Sequence, residues 1–349
     1  MRIASVGRAL PSHYYDPAAL LDAFRRLWGG RMHNPARLEQ LHHNVRVSGR
    51  HLALPMEAYD RLAGFGSAND AFIACATDLG ERAVTDALEG AGLAPGDVDH
   101  IFFVSVTGIA TPSIDARLVN RMGLRPDVKR TPIFGLGCVA GAVGITRAAD
   151  AVRAWPGQCA VLLSVELCSL TLQRSDASIP NLIASGLFGD GAAAALVLGT
   201  EHPAARGPRI VATRSVFHPD TERVMGWDVT DEGFRIVLSG DVPAMARAIR
   251  PNVDAFLAES ELDLAHIDRF VCHPGGPKVL RALEEGLDLP AEALKLTWDS
   301  LERIGNLSSA SVLMVLRDTL TQDPPPPGGH ALVIAMGPGF CSELVLLEW

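Results

Sequence analysis

A chain of 349 residues, 48% of them hydrophobic, is long enough to bury one large core or two ordinary ones, which excludes a disordered or low-complexity polypeptide. Its 31 Lys and Arg against 40 Asp and Glu leave a formal charge of −9, which argues against a nucleic-acid partner, since phosphate binding needs clustered cations. Six cysteines without paired short spacing suggest neither a disulfide framework nor a zinc site, and the absence of a signal-peptide pattern or of a membrane-length apolar run points to a cytoplasmic protein with no stable membrane insertion.

In chain order, residues 2–6 read as a strand and 17–27 carry helical apolar spacing. The stretch 31–61 is rich in His and Arg, including Arg37, Arg46 and Arg50, and reads as short helices with loops. Residues 70–91 predict a long amphipathic helix with Phe72, Cys75, Ala76, Leu79, Ala83, Ala87 and Leu88 on one face.

From there the sequence repeats itself. Residues 88–103 align without a gap with 257–272, an offset of 257 − 88 = 169, and each segment is a helix end, a short acidic loop and an apolar strand. The run ending at Cys138 answers the run ending at Asn306, with 306 − 138 = 168; residues 160–165 answer 331–336, and 192–198 answer 344–349. The chain therefore divides into 1–200, carrying Cys138, and 201–349, carrying His273 and Asn306. Continuous apolar strands alternating with helices predict an α/β architecture. Two such halves can stack as αβαβα layers, with two mixed sheets around a central helix layer. Equivalent loops then meet, so Cys138 and Asn306 are expected to face one pocket. The prolines of 324–327 predict a surface connection into the strand at 331.

Cys138 stands in Gly135-Leu-Gly-Cys-Val-Ala-Gly-Ala142 at the start of a helical pattern. Unpaired N–H groups and the positive end of the helix dipole there would favour a thiolate, which makes Cys138 a candidate nucleophile; a small buried apolar residue is the alternative. A nucleophile needs a base. His273 ends an apolar strand and precedes Pro-Gly-Gly-Pro-Lys278, and strand-end loops are where α/β clefts form. Asn306 opens the next helical pattern, where a helix cap is its plain role and a place opposite Cys138 its functional one.

Five segments then fall in order: the Cys138 run, Ser185-Gly-Leu-Phe188-Gly-Asp-Gly-Ala192, His273-Pro-Gly-Gly-Pro-Lys278, Gly305-Asn306-Leu-Ser-Ser-Ala-Ser311 and Gly337-Pro-Gly-Phe340. Together they resemble the signatures of the type III polyketide synthases, the chalcone synthase-like family of the thiolase fold, and the resemblance runs from the first strand to Trp349. Its flavour is that of bacterial alkylpyrone and alkylresorcinol synthases. The resemblance implies that Cys138 takes a starter acyl group from an acyl-CoA beside His273. It also implies that His273 and Asn306 hold the thioester carbonyl of malonyl-CoA as CO2 leaves. Neither metal nor cofactor is called for. A medium or long acyl chain would then be extended and cyclised to an alkylpyrone or alkylresorcinol.

By the same resemblance, Phe188 gates the passage between the coenzyme A tunnel and the cavity, Thr171 and Cys168 line the cavity, and Thr111 reaches into a partner subunit's cavity, which implies a homodimer. A strand continuing through 165–171 could not turn both Cys168 and Thr171 to one face, so the chain should leave strand geometry near Cys168. Two departures stand out. Ile236 replaces the second phenylalanine gate of plant members, with Phe234 on the same strand face as a candidate substitute. In the basic cluster that grips coenzyme A phosphates Arg37 is retained, but Gln40 and Asn44 fill the other matching positions, leaving Arg46 and Arg50 to compensate. The alternatives are a tetrahydroxynaphthalene synthase using malonyl-CoA alone, an initiating ketoacyl-acyl carrier protein synthase, and a non-catalytic thiolase-fold scaffold. A degradative thiolase fits less well, because Asn306 stands where its second histidine would be.

Overall fold

The structure is a computed structural model and describes residues 1–28, 36–290 and 292–349. Residues 29–35, which include the start of the His- and Arg-rich stretch, lie outside the described residues.

The first half opens with β1 (Arg2–Ala9), then β2 (His13–Tyr15), α1 (Pro17–Trp28), α2 (Ala36–Asn44), β3 (Arg50–Leu52) and α3 (Phe65–Ala91). The long helix thus begins at Phe65 rather than Asp70, and it stops where Gly92 takes a left-handed φ of 67° and its N–H closes on the Glu89 and Leu88 carbonyls. The half continues through β4 (His100–Val104), α4 (Ile114–Met122), β5 (Lys129–Ile133), α5 (Ala140–Ala154), β6 (Cys159–Leu167), α6 (Ile179–Leu187) and β7 (Asp190–Leu198). The second half comprises β8 (Arg209–Phe217), the hairpin β9 (Met225–Thr230) and β10 (Gly233–Leu238), α7 (Val242–Arg247), α8 (Arg250–Ala258), β11 (Ile267–Cys272), α9 (Pro277–Leu287), α10 (Lys295–Ile304), α11 (Ser311–Gln322), β12 (His330–Gly337) and β13 (Cys341–Glu348).

Nine strands are hydrogen-bonded in the order β11-β12-β13-β8-β1-β7-β6-β4-β5. The two expected sheets are the two ends of this order, joined where Arg2 of β1 lies opposite Arg209 of β8. The apolar runs are continuous because both faces of each inner strand are covered. Ala160 and Leu162 of β6 pack with Val143, Ile145, Val312 and Val315 of α5 and α11, while Val161, Leu163 and Val165 pack with Ala76, Leu79 and Ala83 of α3. In β12 and β13 the same alternation sends Val333 and Val345 to α5 and α11, and Leu332 and Leu346 to Val253, Leu283 and Leu301. Helices α5 and α11 are therefore the middle layer of an αβαβα stack. They sit close: a Cβ on Gly141 would lie 2.2 Å from the Ser309 carbonyl oxygen.

The duplication is visible with a different offset. Helices α5 and α11 start 311 − 140 = 171 residues apart, as do β6 and β12, 330 − 159 = 171. The second half has α9 and α10 where the first has α4 and β5, so an ungapped alignment slips by three residues there. The counterpart of the Gly137–Val139 turn is the Ser308–Ala310 turn, and Asn306 stands just before it. The halves also differ after β6, where residues 168–189 make an excursion, whereas β12 and β13 are joined by the short run Pro338-Gly-Phe340. Among the described residues no helix is long and apolar enough to cross a membrane.

Candidate active site

The connection from β5 to α5 passes so close to Pro338 that a Cβ on Gly137 would lie 2.5 Å from its Cδ, and Gly137 itself has φ +55°. Only glycine suits both demands. Gly137, Cys138 and Val139 form one 3-10 turn that feeds α5, which places Cys138 at the amino end of a central helix. Its Sγ–H donates to the Ser308 hydroxyl at 3.5 Å, from the turn that feeds α11.

His273 extends β11 by one residue: its N–H donates to the Ile334 carbonyl at 2.9 Å and its own carbonyl accepts the Gly275 N–H at 2.9 Å. The imidazole is buried and its Nδ1 has no partner among the described residues. Asn306 is also buried, and its Oδ1 accepts the Ser308 N–H at 2.7 Å. It is thus the cap that its position suggested, and that bond turns the oxygen away and leaves the Nδ2 donors for another partner. Cys138, His273, Asn306 and Ser308 line a single cavity of about 400 Å3.

Burial pushes the Cys138 thiol up to about 12, against the lowering effect of the Ser308 hydrogen bond, and pushes His273 down to about 3. The helix start expected to favour a thiolate therefore also carries a desolvation that favours the neutral thiol.

Beneath the site, Glu166 is fully buried and accepts the Val106 N–H at 3.1 Å, the Thr107 hydroxyl at 2.8 Å, the Ser105 hydroxyl at 3.3 Å and the Ser309 hydroxyl. It ties β6 to the loop after β4 and to the turn bearing Ser308. Sequence reasoning missed both Glu166 and Ser308; the available signal was a lone carboxylate inside the apolar run of β6.

A second chamber of about 570 Å3 shares Cys168, Phe188, Trp227 and Ile236 with the first. Strand β6 does end at Leu167, and the 3-10 turn Cys168–Thr171 lets both Cys168 and Thr171 line this chamber. Phe188 stands between the chambers and forms an isolated parallel bridge with Asn306. Ile236 lies opposite Trp227 across the β9–β10 hairpin. Phe234 lines neither chamber; its ring packs edge-on against Phe65 at 5.2 Å and lies 6.2 Å from that of Trp227, which lines both chambers beside Ile236.

The basic candidates separate. Arg37 is exposed on α2, at i and i+4, i+7 spacing from Leu41 and Asn44, which line the mouth of the first cavity. Arg46 is exposed and its guanidinium lies over the Trp298 ring at 5.0 Å, away from the cavity lining. Arg50 is 3% exposed and donates to the Phe188 carbonyl at 2.5 Å, so its expected role at coenzyme A phosphates is corrected: it points inward. Lys278, which the sequence argument passed over, lines the first cavity at the exposed start of α9. Thr111 is exposed beyond β4 and lines neither chamber.

The sequence profile of the chalcone and stilbene synthases matches this chain twice, the N-terminal domain over residues 2–202 and the C-terminal domain over 209–348. A 1,3,6,8-tetrahydroxynaphthalene synthase of Streptomyces peucetius subsp. caesius is 47% identical over 99% of this chain and 93% of its own length. A putative chalcone synthase of Bacillus subtilis (strain 168) is 36% identical over 99% of this chain and 98% of its own. Among solved structures, the 1,3,6,8-tetrahydroxynaphthalene synthase of Streptomyces coelicolor A3(2), a bacterial type III polyketide synthase, superposes with a TM-score of 0.95 at 31% identity, covering 100% of this chain and 99% of that one.

Proposed function

The chain belongs to the chalcone and stilbene synthase family and is a type III polyketide synthase; from that premise we propose that it draws both starter and extender units from malonyl-CoA, holds the growing chain on Cys138, and cyclises it to a tetrahydroxynaphthalene. The family assignment sets aside the initiating ketoacyl synthase, the degradative thiolase and the non-catalytic scaffold. The observation that carries the catalytic part is the single cavity that Cys138, His273 and Asn306 line together. The choice of malonyl-CoA as sole substrate rests on the tetrahydroxynaphthalene synthases of Streptomyces peucetius subsp. caesius and Streptomyces coelicolor A3(2).

In this reading the Cys138 thiol gives its proton to His273 as sulfur attacks the thioester carbonyl, and the coenzyme A thiol leaves with a proton returned from the imidazole. At the next malonyl-CoA the bond to the carboxylate breaks, CO2 departs, and the electron pair becomes an enolate. The Asn306 Nδ2–H and an imidazole N–H donate to the enolate oxygen, so the charge that appears in the transition state meets donors already in place. The enolate carbon attacks the acyl thioester and expels the Cys138 thiolate. The lengthened chain then returns to Cys138. Coenzyme A enters past Asn44 and the Gly275–Lys278 loop, with Lys278 and Arg37 as the phosphate contacts.

A second reading keeps an acyl-CoA starter and an alkylpyrone or alkylresorcinol product, and the wall of the second chamber favours it: Leu20, Ala23, Phe24 and Leu27 of α1 offer apolar surface to an alkyl chain. Incubation with malonyl-CoA alone, then with a series of acyl-CoAs, separates the two by product mass. Product from malonyl-CoA alone supports the first reading; product only when an acyl-CoA is present overturns it. We also propose a homodimer through the edge at β5, where Thr111 and the exposed apolar side chains Ile109 and Phe134 follow neighbouring strands. A monomer by light scattering at micromolar concentration would rule it out.

A further inference from the structure

The second chamber contains a buried cation whose hydrogen-bonding capacity is mostly unspent. Arg26 and Arg174 also line the chamber but are exposed, whereas Arg50, on β3, is 3% exposed. A guanidinium carries five N–H donors in a planar fork. One of them, at Nη1, goes to the Phe188 carbonyl at 2.5 Å. Among the described residues no second acceptor lies within hydrogen-bonding distance, and none of its nitrogens is a sealed, partnerless atom, so the remaining donors keep contact with the chamber.

The neighbouring carboxylate does not absorb these donors. Asp190 is committed to the Ala53 N–H at 2.6 Å, the Ser169 N–H at 2.8 Å and the Ser169 hydroxyl, and it forms no ion pair with Arg50. Burial lowers Arg50 to about 10, which leaves it a cation at neutral pH. Buried donors without protein acceptors are costly unless something polar meets them. Phe188 lines both cavities, so a chain reaching from Cys138 into the second one passes the residue whose carbonyl Arg50 holds.

A poly-β-keto chain offers what this fork takes. Its carbonyl oxygens sit on alternate carbons, and its acidic methylenes give enolates whose charge is shared between two such oxygens. Two parallel N–H donors match a pair of oxygens in one plane, as they match a carboxylate. We propose that Arg50 is a substrate-binding residue of the second chamber, receiving the 1,3-dicarbonyl oxygens of the elongating chain as it passes Phe188. The inference rests on the polyketide reading above and adds to it a polar anchor in a chamber whose α1 wall is apolar. The anchor holds the chain through successive additions, when a free chain would close on itself early and leave as a short lactone.

The test uses the full chain with malonyl-CoA and reads, by liquid chromatography and mass spectrometry, the ratio of full-length to shortened products, a quantity independent of how much of the enzyme is active. Arg50→Met keeps the unbranched apolar stem and removes every donor; its ratio is expected to fall about tenfold or more, with shortened lactones taking over. Arg50→Lys keeps the charge as a point donor and is expected to fall between the two. Arg50→Lys can still donate to the Phe188 carbonyl, so a residue that only held that carbonyl would show the wild-type ratio there; that result, or an unchanged ratio in Arg50→Met, overturns the proposal. Should Arg50→Met fail to fold, the same ratio in Arg50→Lys decides, and a wild-type ratio there overturns it equally. Wild-type CO2 release from malonyl-CoA is the control for the underlying reading: its absence counts against the polyketide assignment and not against Arg50.

Discussion

Phe188 and Asn306 are joined through their main chains: the Gly189 N–H donates to the Asn306 carbonyl at 3.0 Å, and the Asn306 N–H donates to the Leu187 carbonyl at 2.9 Å. The residue that stands between the chambers and the residue proposed to offer its carboxamide to the thioester are therefore parts of one short ladder. Arg50 holds the same ladder from the other side through the Phe188 carbonyl. A change in one is expected to be felt by the other, although they lie in different halves of the chain.

Gly305→Ala tests that ladder directly. Gly305 has φ +74°, and a Cβ there would lie 2.6 Å from the Leu187 carbonyl oxygen, the acceptor for Asn306. Strain in the backbone and displacement of a buried hydrogen bond together are expected to cost about 1–3 kcal/mol of stability. Condensation should slow by about tenfold or more as the carboxamide moves. Thermal melting and CO2 release check the two parts; a variant with the parent's melting temperature and rate would show that the ladder does not constrain Asn306.

Much of this was legible in the sequence for a physical reason. Strands buried on both faces have no alternative to continuous apolar composition, so β6, β7, β12 and β13 announced themselves and their spacing revealed the duplication. Gly137 and Gly305 were legible because close approach and left-handed backbone leave no other residue. The partition was not: Trp227 faces Ile236 through a hairpin register that no local pattern encodes, and the periodicity that sets Phe234 on the strand face of Ile236 does not say which cavity each side chain lines. Arg50 misled for a related reason. An arginine in a basic stretch reads as solvated, and only the tertiary placement of β3 turns it inward.

Cys138→Ala should abolish both product formation and covalent acylation while leaving the fold intact. The thiol makes one weak hydrogen bond, to Ser308, and belongs to no disulfide, so its removal takes little from the packing. Intact-protein mass after exposure to malonyl-CoA reads the acylation, and circular dichroism reads the fold. Acyl mass persisting on the variant would locate the nucleophile elsewhere, with Cys168 of the same cavity the first to examine.

His273→Gln should raise the pH at which Cys138 reacts. Desolvation leads the causes that push the thiol up to about 12, and in the proposed reaction His273 is the group that takes its proton. Without that acceptor the thiolate fraction near neutral pH falls, since a higher pKa means fewer molecules ionised at any lower pH. Alkylation by iodoacetamide at pH 7 is expected to slow by about tenfold or more and to climb steadily toward high pH. A variant whose alkylation profile overlays the parent's would remove His273 from the activation of the thiol.

Ile236→Phe, set beside Phe234→Leu, tests which aromatic position shapes the passage. Ile236 lines both chambers together with Phe188 and Trp227, so a larger ring there fills space that a chain must cross. Competition between a long and a short acyl-CoA reads the effect as a ratio, and the long substrate is expected to lose about tenfold relative to the short one. Phe234 packs against Phe65 at 5.2 Å and faces neither chamber, so Phe234→Leu should leave the ratio alone and cost roughly 1 kcal/mol of stability through lost packing. The opposite pattern, selectivity moving with Phe234 and not with Ile236, would mean that the gate turns on the other residue of the strand.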